Sequence, residues 1–324
     1  MSIAHSKNIV KNMENKAVIV LGSINRDLVT RTPRLPLPGE TLMGESFLTV
    51  SGGKGANQAV ACSRLGLSTH LIGRVGDDEF GRSLLADLQG AGVNIEAVSI
   101  NSQTSSGVAA IAVATDGENQ IILIPGANGR CDRTEISKLE KLLPTAAILL
   151  LQLEIPLEVV IAAAQSAFNA GVTMILDPAP MPPVFPSELY PLLDILTPNQ
   201  TEAAQLVGFV VEDQITATRA AQELVARGVK NAVVKLGSQG AVWASATDCL
   251  FIPAFSVVAV DTVAAGDAFN GGLAAGLMMG LSLRSALVWA TAAGAIATTK
   301  PGAQSSLSDR ATLENFLQAR GFME

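Results

Sequence analysis

The chain of 324 residues has almost no histidine: His5 and His70 are the only two. That scarcity removes Ser-His-Asp triads and His-rich metal sites from consideration. The three cysteines, Cys62, Cys131 and Cys249, are far apart and odd in number. They exclude CxxC zinc or redox sites and fit a reducing, cytoplasmic setting. Aromatic residues make up 4%, too few to build stacking surfaces for single-stranded nucleic acid. No Lys/Arg run occurs and the formal charge is -7, so a phosphate-backbone footprint is missing and no nucleic-acid partner is expected.

Apolar residues are plentiful, 48% against 16% charged, which places the chain among globular proteins rather than disordered ones. The most membrane-like region, 268–299, is split by Arg284, and Gly280-Leu281-Ser282 reads as a turn between two helices. Buried helices, not membrane spans, are expected there. Residues 1–16 are polar and form an expected flexible tail, followed by Val18-Ile19-Val20-Leu21, too short for a signal-peptide core.

Short apolar runs recur at AVIVLGS (17–23), THLIGRV, AAILLLQLE, VTMILDPAP, DILTPN and NAVVKLG. They alternate with helical patterns at 54–65, 79–90, 156–170, 199–207 and 213–227, two within 266–298, and one from Ser308. The alternation predicts an α/β domain over 17–324 with a mostly parallel sheet covered by helices. Two stretches break the rhythm: 28–50, with Pro-interrupted runs, and 107–125, a hairpin turning at Asp116-Gly117. A β-lid over a cleft and ordinary edge hairpins both account for them.

Polar residues stand at the C-terminal ends of the expected strands: Asn25 and Asp27, Glu154, Asp177, then Asn199 and Glu202. A parallel sheet gathers such ends on one rim, where ligands bind. For Asn199 and Asp177, beside prolines, a cap or turn is the stronger reading. Glu154, between LLLQL and Ile155-Pro156, favours a ligand role.

SGGKGANQAVACSRLG (51–66) resembles a phosphate loop but fails GxxxxGK[ST], since Leu48 stands where Gly is needed and Gly55 where Ser or Thr is needed. What remains is a glycine turn into a helix, offering Lys54 and Asn57 on its first turn. In VKLGSQGAV (234–242), Gly237 and Gly240 bracket Ser238-Gln239, which suits either an anion or a plain hairpin. In GRVGDDEFG, Asp78 reads as a helix N-cap. DTVAAGDAFNG (261–271) places Ala264, Ala265 and Gly266 before a helix starting near Asp267. Their N–H groups would be free to hold an anion, and a carboxylate there can take a proton from a hydroxyl.

GSINRD (22–27), GGKGANQAVA (52–61), QLE (152–154), DPAP (177–180), TPNQTE (197–202), KLGSQG (235–240), DTVAAGDAFNG and GAQ (302–304) follow one another along almost the whole chain. In this order they resemble the ribokinase-like, phosphofructokinase-B-type carbohydrate kinase family. The resemblance implies a three-layer α/β/α sandwich, with a β-lid at about 28–50 and 105–126 through which members pair as homodimers. It implies ATP-dependent phosphorylation of D-ribose at its 5-hydroxyl, with magnesium accompanying ATP. A sibling kinase for deoxyribose, another sugar or a nucleoside, and a non-catalytic sugar-binding regulator, are the alternatives.

By the same resemblance, Asn25, Asp27, Gly53, Lys54, Gly55, Asn57 and Glu154 would hold the sugar. Asn199, Glu202, Lys235, Gly237, Ser238, Gln239 and Gly240 would line ATP, together with Gly266 and Asp267. Asp267 would be the base, beside an anion hole of Ala264, Ala265 and Gly266. Potassium, as an activating cation, would be held by Asp261, Ser306 and the carbonyls of Val263, Ala297, Lys300 and Gly302. The chain departs from the family pattern at Asp177, where Asn is common, at Lys235, often Thr, and at Thr291, where Asn or His commonly meets the nucleotide.

Overall fold

The computed structural model describes residues 16–322, so the expected tail lies, apart from Lys16, outside the described residues. The chain begins with strands β1 (Ala17–Leu21), β2 (Asn25–Thr32) and β3 (Ser46–Gly52), then helix α1 (Lys54–Arg64). It continues through β4 (Thr69–Gly76), α2 (Glu79–Gly90), β5 (Val98–Asn101) and the hairpin β6 (Gly107–Ala114) and β7 (Asn119–Ile124). Next come α3 (Arg133–Leu142), β8 (Ala146–Leu151), α4 (Leu157–Ala170), β9 (Thr173–Leu176) and β10 (Ile195–Leu196). Helices α5 (Gln200–Val207) and α6 (Gln214–Ala226) precede β11 (Asn231–Lys235), β12 (Gly240–Ser245) and β13 (Cys249–Pro253). Helices α7 (Ala265–Met278), α8 (Leu283–Ala297) and α9 (Arg310–Gln318) close the described chain.

Nine strands form one sheet in the order β13-β12-β11-β10-β9-β8-β1-β4-β5. Pairing is parallel except where β12 meets β11 and β13. β1 and β8 lie inside it and are buried along their whole length. Because strand side chains alternate faces, their apolar runs feed two cores at once. Val18, Val20, Ile148 and Leu150 pack with α1, α2, α7, α8 and α9 on one side. Ile19, Leu21, Leu149 and Leu151 pack with α3, α4, α5 and α6 on the other. The result is the expected α/β/α sandwich.

The small-residue region 266–298 is a close helix pair. A Cβ on Gly276 would stand 2.6 Å from Ala286 Cα, so α7 and α8 approach backbone to backbone. No helix among the described residues is long and apolar enough to cross a membrane.

The two irregular stretches join in a separate four-stranded sheet, β3-β2-β6-β7. It starts earlier than the expected boundary at residue 28: Asn25 and Asp27 belong to β2, paired with β3 and with β6. They are therefore residues of the small sheet's root, just beyond the end of β1.

Helix α3 was not among the expected helices. It is started by a reciprocal cap, with Asp132 accepting from Thr134 N and Glu135 from Asp132 N. Glu135 is fully buried and receives Arg74 of β4 at 3.2 and 2.6 Å and Ser99 at 2.6 Å. Glu135→Ala would leave the buried Arg74 guanidinium short of its main partner, at an expected cost of ~3–5 kcal/mol in urea unfolding. A loss no larger than that of an average surface substitution would show that Asp132 alone suffices for Arg74.

Candidate active site

The glycine run at the end of β3 exists because it lies against the backbone that leaves β1. Gly53 has φ +88°, and a Cβ there would stand 2.7 Å from Asn25 N and 2.9 Å from Ser23 O. At Gly52 a Cβ would collide with the Asp27 carboxylate at 2.1 Å. Only glycine lets β3 turn into α1 over Asn25 and Asp27. Glycine at 55 serves the same purpose, since a Cβ would lie 2.6 Å from Gly22 C.

Asn25 is buried, and its Oδ1 accepts from Asn128 Nδ2 at 2.7 Å. Asn128 also holds the Ile24 backbone by both N–H and C=O. This residue carried no sequence signal beyond a loop position, yet it sets the root of the small sheet. Glu154, after β8, accepts from the Ser23 hydroxyl and from Lys54 N at 3.2 Å. Arg26, between Asn25 and Asp27, turns the opposite way and binds Ser51 and Ser83 at 3.0 and 2.8 Å.

Helix α1 brings Asn57 and Gln58 to α7. Asn57 Nδ2 and Gln58 Nε2 each donate to the Asp267 carboxylate at 3.0 Å. Helix α7 starts at Ala265, earlier than expected, so Asp267 is already within its first turn. The cap position belongs to Ala264, with φ 58°, the only non-glycine positive φ among the described residues. No side chain caps this end, which leaves backbone donors at the start of α7 for another acceptor. One of the expected three, Ala265 N–H, points to Thr262 O at 3.3 Å.

Carboxylates crowd here. Burial first, then Glu154, pushes Asp27 up to about 7, with Asp267 adding to the rise and Arg26 opposing it. Burial also raises Asp267 to about 6, although Lys54 pulls it down. For Lys54 burial opposes the charge, but Asp267, Asp177, Glu154 and Glu202 outweigh it and hold its pKa above the ordinary lysine value. Glu202 is raised by burial and by Asp177.

A cavity of about 690 Å³ opens between the ends of β9–β11 and α7. Lys54, Asp177, Asn199, Glu202, Lys235, Gly237, Ser238 and Gly240 line it, with Ala264, Ala265, Gly266, Asp267 and Thr291 on the helix side. Gln239 does not line it: its amide donates to Glu212 O at 3.0 Å, turning the side chain away. Asn25, Asp27, Asn57 and Glu154 form a second group, which meets the cavity at Lys54 and Asp267. A larger cavity of about 960 Å³, around Met181, Phe185, Tyr190 and Arg227, has no comparable charge cluster. Chemistry, not volume, marks the site.

Asn199 and Glu202 are also a reciprocal cap of α5, so cap and cavity lining coincide. Asp177 is no cap. It is buried, accepts from Gln58 Nε2 at 3.2 Å and pairs with Lys235 at 2.9 Å. Gln58 was absent from the expected site residues, as was Gln152, which donates to Gln58 Oε1 at 2.6 Å.

The expected potassium ligands lie at the end of α8, at Ala297, and on two segments tied by Asp261, whose Oδ1 accepts from Val263 N at 3.0 Å and Oδ2 from Gly302 N at 2.8 Å. Ser306 is buried and donates to Ala303 O at 2.7 Å, and Lys300 N–H reaches Ala297 O at 3.4 Å. These side-chain and carbonyl groups are all oxygen donors, which suits a hard cation. Among the described residues no group of three or more His, Cys, Asp or Glu could hold a metal alone. Asn199 and Glu202 line the cavity, and their oxygens fit magnesium that brings its own waters and phosphate ligands.

Residues 15–310 match the family described as pfkB family carbohydrate kinase. The chain belongs to this family. It is 40% identical over 303 residues to a Haemophilus influenzae protein named ribokinase, covering 94% of this chain and 99% of that one. A Salmonella typhi protein named deoxyribokinase is 36% identical over 289 residues, covering 89% of this chain and 94% of its own. The solved structure of Arabidopsis thaliana ribokinase complexed with ribose and ATP superposes with a TM-score of 0.86 at 33% identity, covering 94% of this chain and 99% of that one.

The Asp27 carboxyl carries a pH signature. Its folded pKa, about 7, lies above the ordinary value of 3.8, so between them the folded chain keeps a proton that the unfolded chain releases. Stability then falls as pH rises through this window and levels off above it. Melting of the ligand-free protein between pH 5 and 8 is expected to show a smaller fall in Asp27→Asn than in the parent. Identical slopes would mean that Asp27 is ionised in the fold throughout.

Proposed function

We propose that this protein transfers the terminal phosphoryl group of ATP to the 5-hydroxyl of D-ribose, giving D-ribose 5-phosphate. One observation carries the reading: Asp267 is buried at the uncapped start of α7 and is held by Asn57 and Gln58 of the glycine-led helix. Its carboxylate thus stands where the sugar-side group and the cavity meet. The Haemophilus and Arabidopsis relatives, both named ribokinase, support ribose as the acceptor.

In this reading Asn25, Asp27, Gly53, Lys54, Gly55, Asn57 and Glu154 bind the sugar hydroxyls. Asn199, Glu202, Lys235, Gly237, Ser238 and Gly240 take the nucleotide. Asp267 accepts the hydroxyl proton; with a pKa of about 6 it is ionised at neutral pH and still a competent base. The N–H groups of Ala264 and Gly266 hold the phosphoryl oxygens, where the helix end favours negative charge, and Ala265 N–H joins them only by leaving Thr262 O. Lys54 balances charge between the two groups. Magnesium, held near Asn199 and Glu202, would supply charge neutralisation on the phosphates. Potassium at Asp261, Ser306 and the carbonyls of Val263, Ala297, Lys300 and Gly302 would stiffen the loop leading into α7.

The small sheet serves as a lid over the sugar. Its β3 and β7 leave Phe47, Leu48, Ile121 and Ile122 exposed, more apolar surface than a free edge tolerates. A second copy of the chain covering it gives a homodimer. The free cysteines Cys62, Cys131 and Cys249 suit the cytoplasm.

The salmonella relative favours deoxyribose as the second reading. An ADP-release assay over pentoses, hexoses and nucleosides, with and without potassium, separates them: ribose is expected to give the highest kcat/KM. Asp267→Asn should lower kcat by about a hundredfold to ten-thousandfold with ribose and ATP, and full turnover would remove Asp267 as the base. Ile122→Lys is expected to shift the protein toward monomer in sedimentation, whereas an unchanged dimer would place the interface elsewhere.

A further inference from the structure

Asp177 and Lys235, two positions where the chain departs from the family pattern, are 58 residues apart and meet in space. Lys235 Nζ donates to Asp177 Oδ1 at 2.9 Å, with side chains only 14% and 3% exposed. The second oxygen, Oδ2, accepts from Gln58 Nε2 at 3.2 Å, and the same nitrogen donates to Asp267 Oδ1 at 3.0 Å. Gln152 fixes the amide by donating to Gln58 Oε1 at 2.6 Å. A continuous polar chain therefore runs from Lys235 through Asp177 and Gln58 to Asp267.

Beyond its own helix and chain neighbours, a Cβ added at Gly266 would meet only Lys235 Nζ within 4 Å, at 3.4 Å. The ammonium thus stands beside the open start of α7, and Lys235 lines the cavity there. Asp177 takes one of its N–H donors, and an ammonium has three. A charge at either position alone would be buried without its partner, which is costly, whereas neutral residues at both would not be. The two departures are therefore expected to work only together.

We propose that Asp177 is a positioning residue: one oxygen aims Lys235 at the phosphates of the bound nucleotide, and the other, through Gln58, steadies Asp267. This rests on the phosphoryl-transfer reading. It predicts that the nucleotide side and the base are mechanically joined, and that Lys235 contributes a cation to the phosphates.

The test uses the full chain with Lys235→Thr, Asp177→Asn and the double variant. ADP affinity is measured by calorimetry without sugar, then kcat and both KM values with ribose and ATP. Lys235→Thr is expected to weaken ADP by about tenfold to a hundredfold, the range of a lost charged hydrogen bond, while the KM for ribose holds within about threefold. Asp177→Asn should weaken ADP and also lower kcat. The double variant should do better than the two single effects multiplied, because the pair is removed as a unit. Lys235→Arg, which keeps the charge, should retain most of the ADP affinity.

Unchanged ADP affinity in Lys235→Thr, with only a lower melting temperature, would make the pair purely structural and overturn the proposal. Multiplicative effects in the double variant would overturn the coupling. If Lys235→Thr does not fold, the double variant and Lys235→Arg still decide. Because ADP binding needs no sugar, a chain that ignores ribose but loses ADP on substitution would refute the ribose reading and leave this one standing.

Discussion

A single amide, that of Gln58, joins the parts of the site. Its Nε2 serves two carboxylates, Asp177 and Asp267, that would otherwise repel each other across a buried space. Were the amide reversed, an oxygen would face both anions, so the two carboxylates fix its orientation and Gln152 donates to the Oε1 that then faces it. Gln152 follows β8 and Gln58 belongs to α1, so the orientation depends on how closely α1 packs on the sheet. That packing depends in turn on Gly55 lying against Gly22, where a side chain has no room.

The charges around this amide are poorly arranged for stability and well arranged for ligands. Glu154, Asp177, Glu202 and Asp267 converge on Lys54, Asp177 pairs with Lys235, and Asp27 lies near Glu154 and Asp267, an excess of negative charge that a dry interior disfavours. Burial first, and the neighbouring carboxylates after it, keep protons on Asp27 and Asp267 above the usual carboxylate range, against the pull of Lys54 on Asp267. Sugar hydroxyls can donate to these oxygens, and magnesium held with phosphate can offset them. Perturbed acids grouped at a cavity mouth are what a proton-transfer site requires.

Local signals read correctly where they depend on neighbours in the chain. The run AVIVL became a doubly buried strand, Asp78 became the cap of α2 with Gly81 N at 2.7 Å, and the turn at Asp116-Gly117 closed the β6–β7 hairpin. Helix α3 was missed although Asp132 and Glu135 have the spacing of a reciprocal cap. The edge strands β5 and β13 are short and partly exposed, so they lack the apolar runs that betray the inner ones. Gln239 was grouped with its glycine turn, but a side chain in such a turn goes wherever a partner is available, and Glu212 O provided it.

The order of motifs, the alternation of apolar runs and helices, and the glycines that crowd Asn25 and Asp27 are written in the chain itself, because each follows from the size or polarity of adjacent residues. The assembly of the acid cluster is not. Gln58 reaches Asp267 across 209 residues, and Lys235 reaches Asp177 across 58. Both contacts follow from strand order in the nine-stranded sheet and from α1 lying beside α7. Only the tertiary structure could turn Asp177 from a residue beside a proline into the partner of Lys235, since hydrogen bonds act over about 3 Å of space and take no account of separation along the chain.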